Sequence, residues 1–222
     1  MVIVENLEKV RKIARDCPQD VVLVAATKTQ SKETIDEFKK LAPEFILGEN
    51  RVQELVEKYD ARYVWHFIGR LQTNKVKYIV DKVSLIHSLD RLDLAKEIEK
   101  QAKKHGKVQD CLVEVNIGGE ESKGGIAPEN LFDFVETLKS YEHLRIVGIM
   151  SVLPNLEDKA ELNKLYERLK NIYDELKTKK QQNLDVKYLS AGMTNDFEIA
   201  IKHGANMIRL GRLLFGERIA TK

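Results

Sequence analysis

The stretch Val21-Val22-Leu23-Val24-Ala25-Ala26-Thr27-Lys28 decides how the rest of the chain is read. An almost unbroken apolar run ends in a lysine, and Thr29-Gln30-Ser31 follow before a helical pattern begins. Continuous apolar strands belong to parallel sheets covered on both faces. A lysine at the carboxyl end of such a strand stands where barrel enzymes keep their chemistry. An amine held there against apolar walls loses its proton more easily and attacks a carbonyl. Taken alone, a lysine that leaves the sheet for solvent is the more ordinary reading, since most lysines are solvated. Residues much later in the chain reverse that preference.

Upstream, Val2, Ile3, Leu7, Val10, Ile13 and Ala14 recur at helical spacing and predict an opening helix over residues 2–15, stopped near Cys17-Pro18. After the first strand at 21–27, Ser31 caps a helix with Thr34, Ile35 and Phe38 inward, ended by Pro43. Apolar runs at 45–47, 63–68, 83–86, 111–116, 144–150, 186–189 and 207–210 read as further strands. Helical patterns at 51–58, 73–80, 91–105, 128–140 and 156–180 lie between them. Another helix starts near Asn195, where Asn195 and Glu198 have capping-box spacing, and a last short one follows Gly211. No linker or composition shift divides this alternation. It predicts an α/β fold, one (β/α)8 barrel of the TIM type spanning 1–222 as a single domain, with an extra N-terminal helix. A doubly wound open sheet is the runner-up, but it usually has fewer strands and often a glycine fingerprint after the first, which this sequence lacks.

Hydrophobic residues make up 43% of the 222, enough for a sizeable core. Lys+Arg number 37 against Asp+Glu 35, a net charge of +2, which argues for neither nucleic acid nor an anionic membrane as partner. Cys17 and Cys111 lie far apart without CxxC spacing, so neither a zinc cluster nor a disulfide framework is expected. No apolar stretch reaches membrane-spanning length and no signal-peptide pattern opens the chain, so a soluble, cytoplasmic protein is expected. With no long exposed apolar face in the pattern, it is also expected to be a monomer.

In a barrel the strand ends face one mouth. There the sequence puts Lys28, Gly48-Glu49-Asn50, Gly69-Arg70, His87-Ser88, Asn116, Met150-Ser151, residues 190–194 and Arg209-Gly211-Arg212. The seventh and eighth loops carry small residues, amides and a hydroxyl beside helix N-termini, where barrels commonly bind phosphate through unpaired N–H groups. A phosphate site facing an amine suggests a phosphorylated aldehyde held as a Schiff base, and pyridoxal phosphate is the commonest such cofactor. An arginine at the cofactor's pyridine nitrogen, as Arg209 would be, leaves that nitrogen largely unprotonated and weakens the electron sink. On spacing alone, a salt bridge at the barrel end explains Arg209 equally well. His66, mid-strand between Trp65 and Phe67, reads as an interior hydrogen-bonded histidine, and His87 lacks metal-ligand spacing. Glu114 and Asn116 share a strand face, either as a packed network or as ligand contacts. The Gly118-Gly119…Gly124-Gly125 segment is not a P-loop; it is either a mobile loop over the mouth or plain turn chemistry.

Longer motifs carry a resemblance. Gly48-Glu49-Asn50-Arg51-Val52-Gln53-Glu54, Trp65-His66-Phe67-Ile68-Gly69-Arg70-Leu71-Gln72-Thr73-Asn74-Lys75 and His87-Ser88-Leu89-Asp90-Arg91-Leu92 are its first parts. Val115-Asn116-Ile117, Ser122-Lys123-Gly124-Gly125, Gly148-Ile149-Met150-Ser151 and the run from Leu189-Ser190-Ala191-Gly192-Met193-Thr194 to Asn195-Asp196-Phe197-Glu198 complete it. Together they resemble the pyridoxal phosphate homeostasis protein family over nearly the whole chain. The resemblance implies a barrel like the N-terminal domain of bacterial alanine racemase, without that enzyme's second domain. It implies pyridoxal 5'-phosphate held as an aldimine on Lys28, Arg209 near the pyridine nitrogen, and phosphate contacts at Ser190, Gly211 and Arg212. Position 212 usually carries a small hydroxyl in the family; a backbone contact survives the change to arginine and a hydroxyl contact does not. Asn50 is a further implied contact. The implied role is intracellular vitamin B6 homeostasis, in which the cofactor is carried, buffered or handed to apo-enzymes that use it, without efficient catalysis. A racemase would need an acid/base partner on the other substrate face. The alternatives are a pyridoxal phosphate-dependent amino-acid racemase or lyase, and a barrel enzyme acting on phosphorylated sugars with Lys28 as its Schiff-base lysine.

Overall fold

Leu23 to Ala26 are buried, as an apolar strand with no polar face requires, and they form most of β1 (Val22–Ala26). The computed structural model describes residues 3–120 and 124–216. Strands β2 (Ile46–Glu49), β3 (Trp65–Phe67), β4 (Leu85–Leu89), β5 (Gln109–Glu114), β6 (Leu144–Met150), β7 (Leu184–Ser190) and β8 (Met207–Leu210) follow in order. They form a closed eight-stranded barrel in sequence order. Every pairing is parallel, and β1 meets β8 with Val22 opposite Met207 and Val24 opposite Arg209.

Helices cover the outside because the strands are apolar on both faces. Val24, Leu85, Leu112, Val147, Met150 and Met207 cluster inside the barrel. Their strand neighbours Ala25, Ile86, Val113, Ile146 and Ile208 join the larger core under the helices. This alternation places a residue either in the barrel interior or beneath the helical layer. Helix α1 (Val4–Arg15) buries Leu7 and Val10, and is tied to the chain end by Ile3 N–H to Leu214 O at 2.9 Å. Helices α2 (Lys32–Leu41), α3 (Val52–Lys58), α4 (Leu92–Lys104), α5 (Leu131–Thr137) and α6 (Lys159–Thr178) follow, then α7 (Phe197–Lys202) and α8 (Arg212–Phe215). In α6, Leu162, Tyr166, Leu169, Tyr173 and Leu176 are the buried stripe expected of an amphipathic helix, and its other faces are solvated. Ser31 caps α2 by accepting the Thr34 N–H, as its position predicts.

Several local expectations shift. Strand β4 starts two residues late and keeps His87 and Ser88 within it, with a register irregularity between Ile86 and Leu89. Strand β5 stops at Glu114, leaving Asn116 in the following loop. Residues Thr73–Tyr78 form a 3₁₀ helix. The capping box at Asn195 does not form, because Asp196 accepts the Met193 N–H at 2.7 Å and becomes the N-cap of α7 itself. Of the glycine-rich loop, residues 121–123 lie outside the described residues. Gly148 has φ +148, and a Cβ there would stand 1.9 Å from the Tyr188 carbonyl oxygen, so β6 and β7 approach as they do only with glycine. Among the described residues, no helix is long and apolar enough to cross a membrane.

Candidate functional site

Parallel closure brings every strand's carboxyl end to one mouth, and a cleft of about 620 Å³ lies there. Lys28, Asn50, Arg209, Gly211 and Arg212 all line it. They come from the ends of β1, β2 and β8, which are adjacent around the barrel. Met193 and Thr194, which the sequence puts at the mouth, complete much of the wall together with Val152, Pro154 and Asn195, which it does not single out. Ser190 is not in the lining. It is fully buried at the end of β7, and its hydroxyl lies 2.7 Å from Arg209 Nη1.

Lys28 sits in a tight turn. The Gln30 N–H donates to the Thr27 carbonyl at 2.9 Å, which makes Lys28 and Thr29 the two central residues. Thr29 has φ 67, a left-handed conformation that such turns normally give to glycine or asparagine. A β-branched residue there is strained by about 1–3 kcal/mol and is kept only where the surroundings over-determine it. The surroundings are visible. Thr29 N–H donates to Glu54 Oε2 at 2.9 Å, and Glu54 pairs with Lys58 at 2.8 Å. Lys58 donates in turn to the Thr27 carbonyl at 3.2 Å and to Glu49 Oε1 at 3.0 Å. Thr27 Oγ1 donates to the same Glu49 oxygen at 2.8 Å, and Asn50 N–H lies 3.2 Å from the other. Glu49 is fully buried; burial pushes its pKa up, against the pull of Lys58 and Thr27. Among the described residues Asn50 Oδ1 has no hydrogen-bond partner and is buried, an orphan acceptor at the cleft wall. Gly69 lies behind it, where a Cβ would come 2.2 Å from the Asn50 carbonyl oxygen.

Arg209 is held from behind by a polar chain through the barrel interior. Its Nη2 donates to the Ser151 carbonyl at 2.9 Å and its Nη1 to Ser190 Oγ at 2.7 Å. Ser190 Oγ is 3.3 Å from His87 Nδ1, and His87 Nε2 is 3.0 Å from His66 Nδ1. A guanidinium only donates. Ser190 Oγ therefore accepts from it, and the tautomers of His87 and His66 set which atom donates in each of the two contacts beyond. Both imidazoles are neutral: burial pushes His66 down to about 3, and burial aided by His66 and Arg209 lowers His87. Burial also lowers the Arg209 pKa, opposed by Tyr166, Asp196 and Glu114. His66 is thus the interior histidine its strand position predicts.

Glu114, at the end of β5, is pushed up to about 7 by burial and by Asp90, against Arg209 and Arg70. Its carboxylate and that of Asp90 both lie within 4 Å of the point where a Gly124 Cβ would stand. Asn116 instead donates to the Glu120 carbonyl at 2.8 Å, a contact within its own loop. The lining carboxylate Asp196 is engaged, accepting from the Tyr166 hydroxyl at 2.6 Å and from Met193 N–H. Among the described residues no group of three or more His, Cys, Asp or Glu side chains could hold a metal ion.

An amine and two guanidinium groups beside an orphan amide oxygen and the start of a short helix suit an anionic ligand carrying an aldehyde. The cleft is in the size range of small-molecule sites. Residues 2–219 match the family model of the alanine racemase N-terminal domain. A pyridoxal phosphate homeostasis protein of Aquifex aeolicus is 45% identical over 220 residues, 97% of this chain and 95% of its own. One from Helicobacter pylori is 36% identical over 203 residues, 89% of this chain and 88% of its own. The solved structure of PipY from Synechococcus elongatus with pyridoxal phosphate bound superposes with a TM-score of 0.82 at 30% identity, covering 96% of this chain and 99% of that one. Alanine racemase from Clostridium difficile shares the fold at a TM-score of 0.75 and 16% identity, with 97% of this chain matched to 59% of the racemase.

Proposed function

The chain belongs to the pyridoxal phosphate homeostasis protein family, and from that premise we propose that its mouth cleft binds pyridoxal 5'-phosphate through Lys28 and keeps it for vitamin B6 homeostasis rather than for efficient turnover. The observation that carries this reading is the convergence of Lys28, Asn50, Arg209, Gly211 and Arg212 on one cleft. When bound, the cofactor supplies an aldehyde that bonds to an amine and a ring that delocalises negative charge.

The protein's groups divide the work. Lys28 is the amine that takes the aldehyde. Gly211 and Arg212 open α8, whose first N–H groups have no partner within the helix, and they would hold the phosphate. Arg212 is exposed at the cleft and adds a charge-assisted contact in place of the hydroxyl usual in the family. Arg209 would face the ring nitrogen. Ser190 serves the site through Arg209, since its hydroxyl is already shared between the guanidinium and His87. The orphan Asn50 oxygen accepts a donor from the cofactor or a water beside it. A guanidinium at the nitrogen would keep the ring a poor electron sink, and the lining carboxylate of Asp196 is already engaged by the Tyr166 hydroxyl and the Met193 N–H. Both favour holding over turnover. Apo-enzymes that use the cofactor are the partners this role implies, and a cytoplasmic monomer is the form that fits it.

Purified protein soaked in pyridoxal phosphate is expected to be yellow, to bleach with borohydride, and to carry the reduced cofactor on the peptide containing Lys28. Lys28→Ala should abolish the colour. A colourless wild type, or a cofactor mapped to another lysine, overturns the reading.

A further inference from the structure

The two peptide units flanking the Lys28 Cα are gripped from the same place. The unit before it is held by its carbonyl, since Thr27 O accepts from Lys58 Nζ at 3.2 Å. The unit after it is held by its N–H, since Thr29 N donates to Glu54 Oε2 at 2.9 Å. Glu54 and Lys58 are one turn apart on α3 and pair with each other at 2.8 Å. Fixing both peptide planes fixes φ and ψ of the residue between them, and with them the direction in which its side chain leaves the backbone. The left-handed Thr29 is the sign that the turn is forced, because nothing in its own side chain favours φ 67.

We propose that Glu54 and Lys58 are positioning residues for Lys28, a helix-borne clamp that aims the lysine into the cleft and slows the release of the bound cofactor. The proposal rests on the cofactor reading above. Glu49 belongs to the same clamp: one oxygen meets Lys58 and Thr27, and the other meets the N–H of Asn50 at the end of the neighbouring strand. A single buried carboxylate thus ties the lysine turn and the orphan amide into one rigid piece. A surface pair whose partners could wander would do neither.

Glu54 is the best probe, because it is half-buried on a seven-residue helix and its removal leaves the Glu49–Lys58 pair intact. Wild type, Lys28→Ala, Glu54→Ala and Glu54→Gln are loaded with pyridoxal phosphate. Release to an excess of an apo-enzyme trap is followed by visible absorbance, and thermal unfolding of each unloaded protein is recorded. Glu54→Ala is expected to release the cofactor about tenfold faster or more, with an altered visible band and little change in unloaded thermal midpoint. Glu54→Gln, which keeps an acceptor for the Thr29 N–H, should restore most of the wild-type rate. Equal release from wild type and Glu54→Ala, or a gain in rate that merely follows lost thermal stability, overturns the clamp. A coloured wild type and colourless Lys28→Ala in that same experiment leave the cofactor reading standing while the clamp falls; a wild type that binds nothing removes both. Hydrogen exchange on the unloaded wild type needs no variant. Thr29 N–H should exchange at least about tenfold slower than an unstructured amide, and free exchange there overturns the clamp even if Glu54→Ala cannot be purified.

Discussion

At the scale of single residues, two side chains at the mouth carry measurable consequences. Glu114 has a folded-state pKa of about 7 against an ordinary 4.5. Its proton is held more tightly in the native state, so its contribution to stability is full below pH 4.5 and is lost as pH rises to about 7. At ~1.4 kcal/mol per pH unit across that window the loss is at most about 3 kcal/mol, and less where water reaches the carboxylate. Glu114→Gln should therefore match wild type in urea unfolding near pH 4 and exceed it near pH 8; equal stability at both would show that the carboxylate is not penalised. Arg212 acts on the ligand. Arg212→Ser restores the family's usual hydroxyl and should weaken cofactor binding several-fold at low salt, with less effect at high salt, where an exposed charge is screened. Titrations at two ionic strengths decide this, and salt-independent weakening would assign Arg212 a steric role instead.

Among elements, α3 does more than its length suggests. Its Lys58 neutralises a carboxylate with 0% exposure, and breaking a buried pair from one side costs more than the pair contributes. Lys58→Met should lose about 3–5 kcal/mol in chemical denaturation near neutral pH. The deficit should shrink in acid: burial already raises the Glu49 pKa, and a neutral carboxyl no longer needs the ammonium. A loss below about 1 kcal/mol would mean that water reaches Glu49. This element also shows where sequence reading stops. The Glu54–Lys58 spacing on a helix is legible, but it reads as a solvated pair. What buries Lys58 is the way β2 ends beneath it, and that is a tertiary fact. Thr29 was illegible for a related reason: threonine carries no turn signal, and its conformation comes from Glu54, 25 residues away. By contrast β1, α2 and α6 could be read directly, since unbroken apolar runs, Ser31 as a cap and a helical stripe need no partner to declare themselves.

Across the whole molecule, the barrel followed from counting alternating apolar runs, because parallel strands buried on both faces have few other homes. The same logic put Lys28, Asn50, Gly211, Arg209 and Arg212 at one mouth, and the described structure gathers them around one cleft. It separated Ser190 from the rest by turning its hydroxyl inward, a distinction strand ends alone do not make. A ligand that binds only the native barrel raises its stability by mass action, about 2.7 kcal/mol at a hundred times the dissociation constant. For a chain of this size, saturating pyridoxal phosphate should raise the thermal midpoint by roughly 5–10 °C. Calorimetry with and without cofactor tests this, and Lys28→Ala should show a smaller rise.

The row running from Arg209 through Ser190 and His87 to His66 starts on a group that can only give hydrogens. With both of its terminal nitrogens engaged on the inner side, the guanidinium keeps one attitude whether the cleft is empty or filled. A guest thus meets a cation already set in place and spends nothing on turning it.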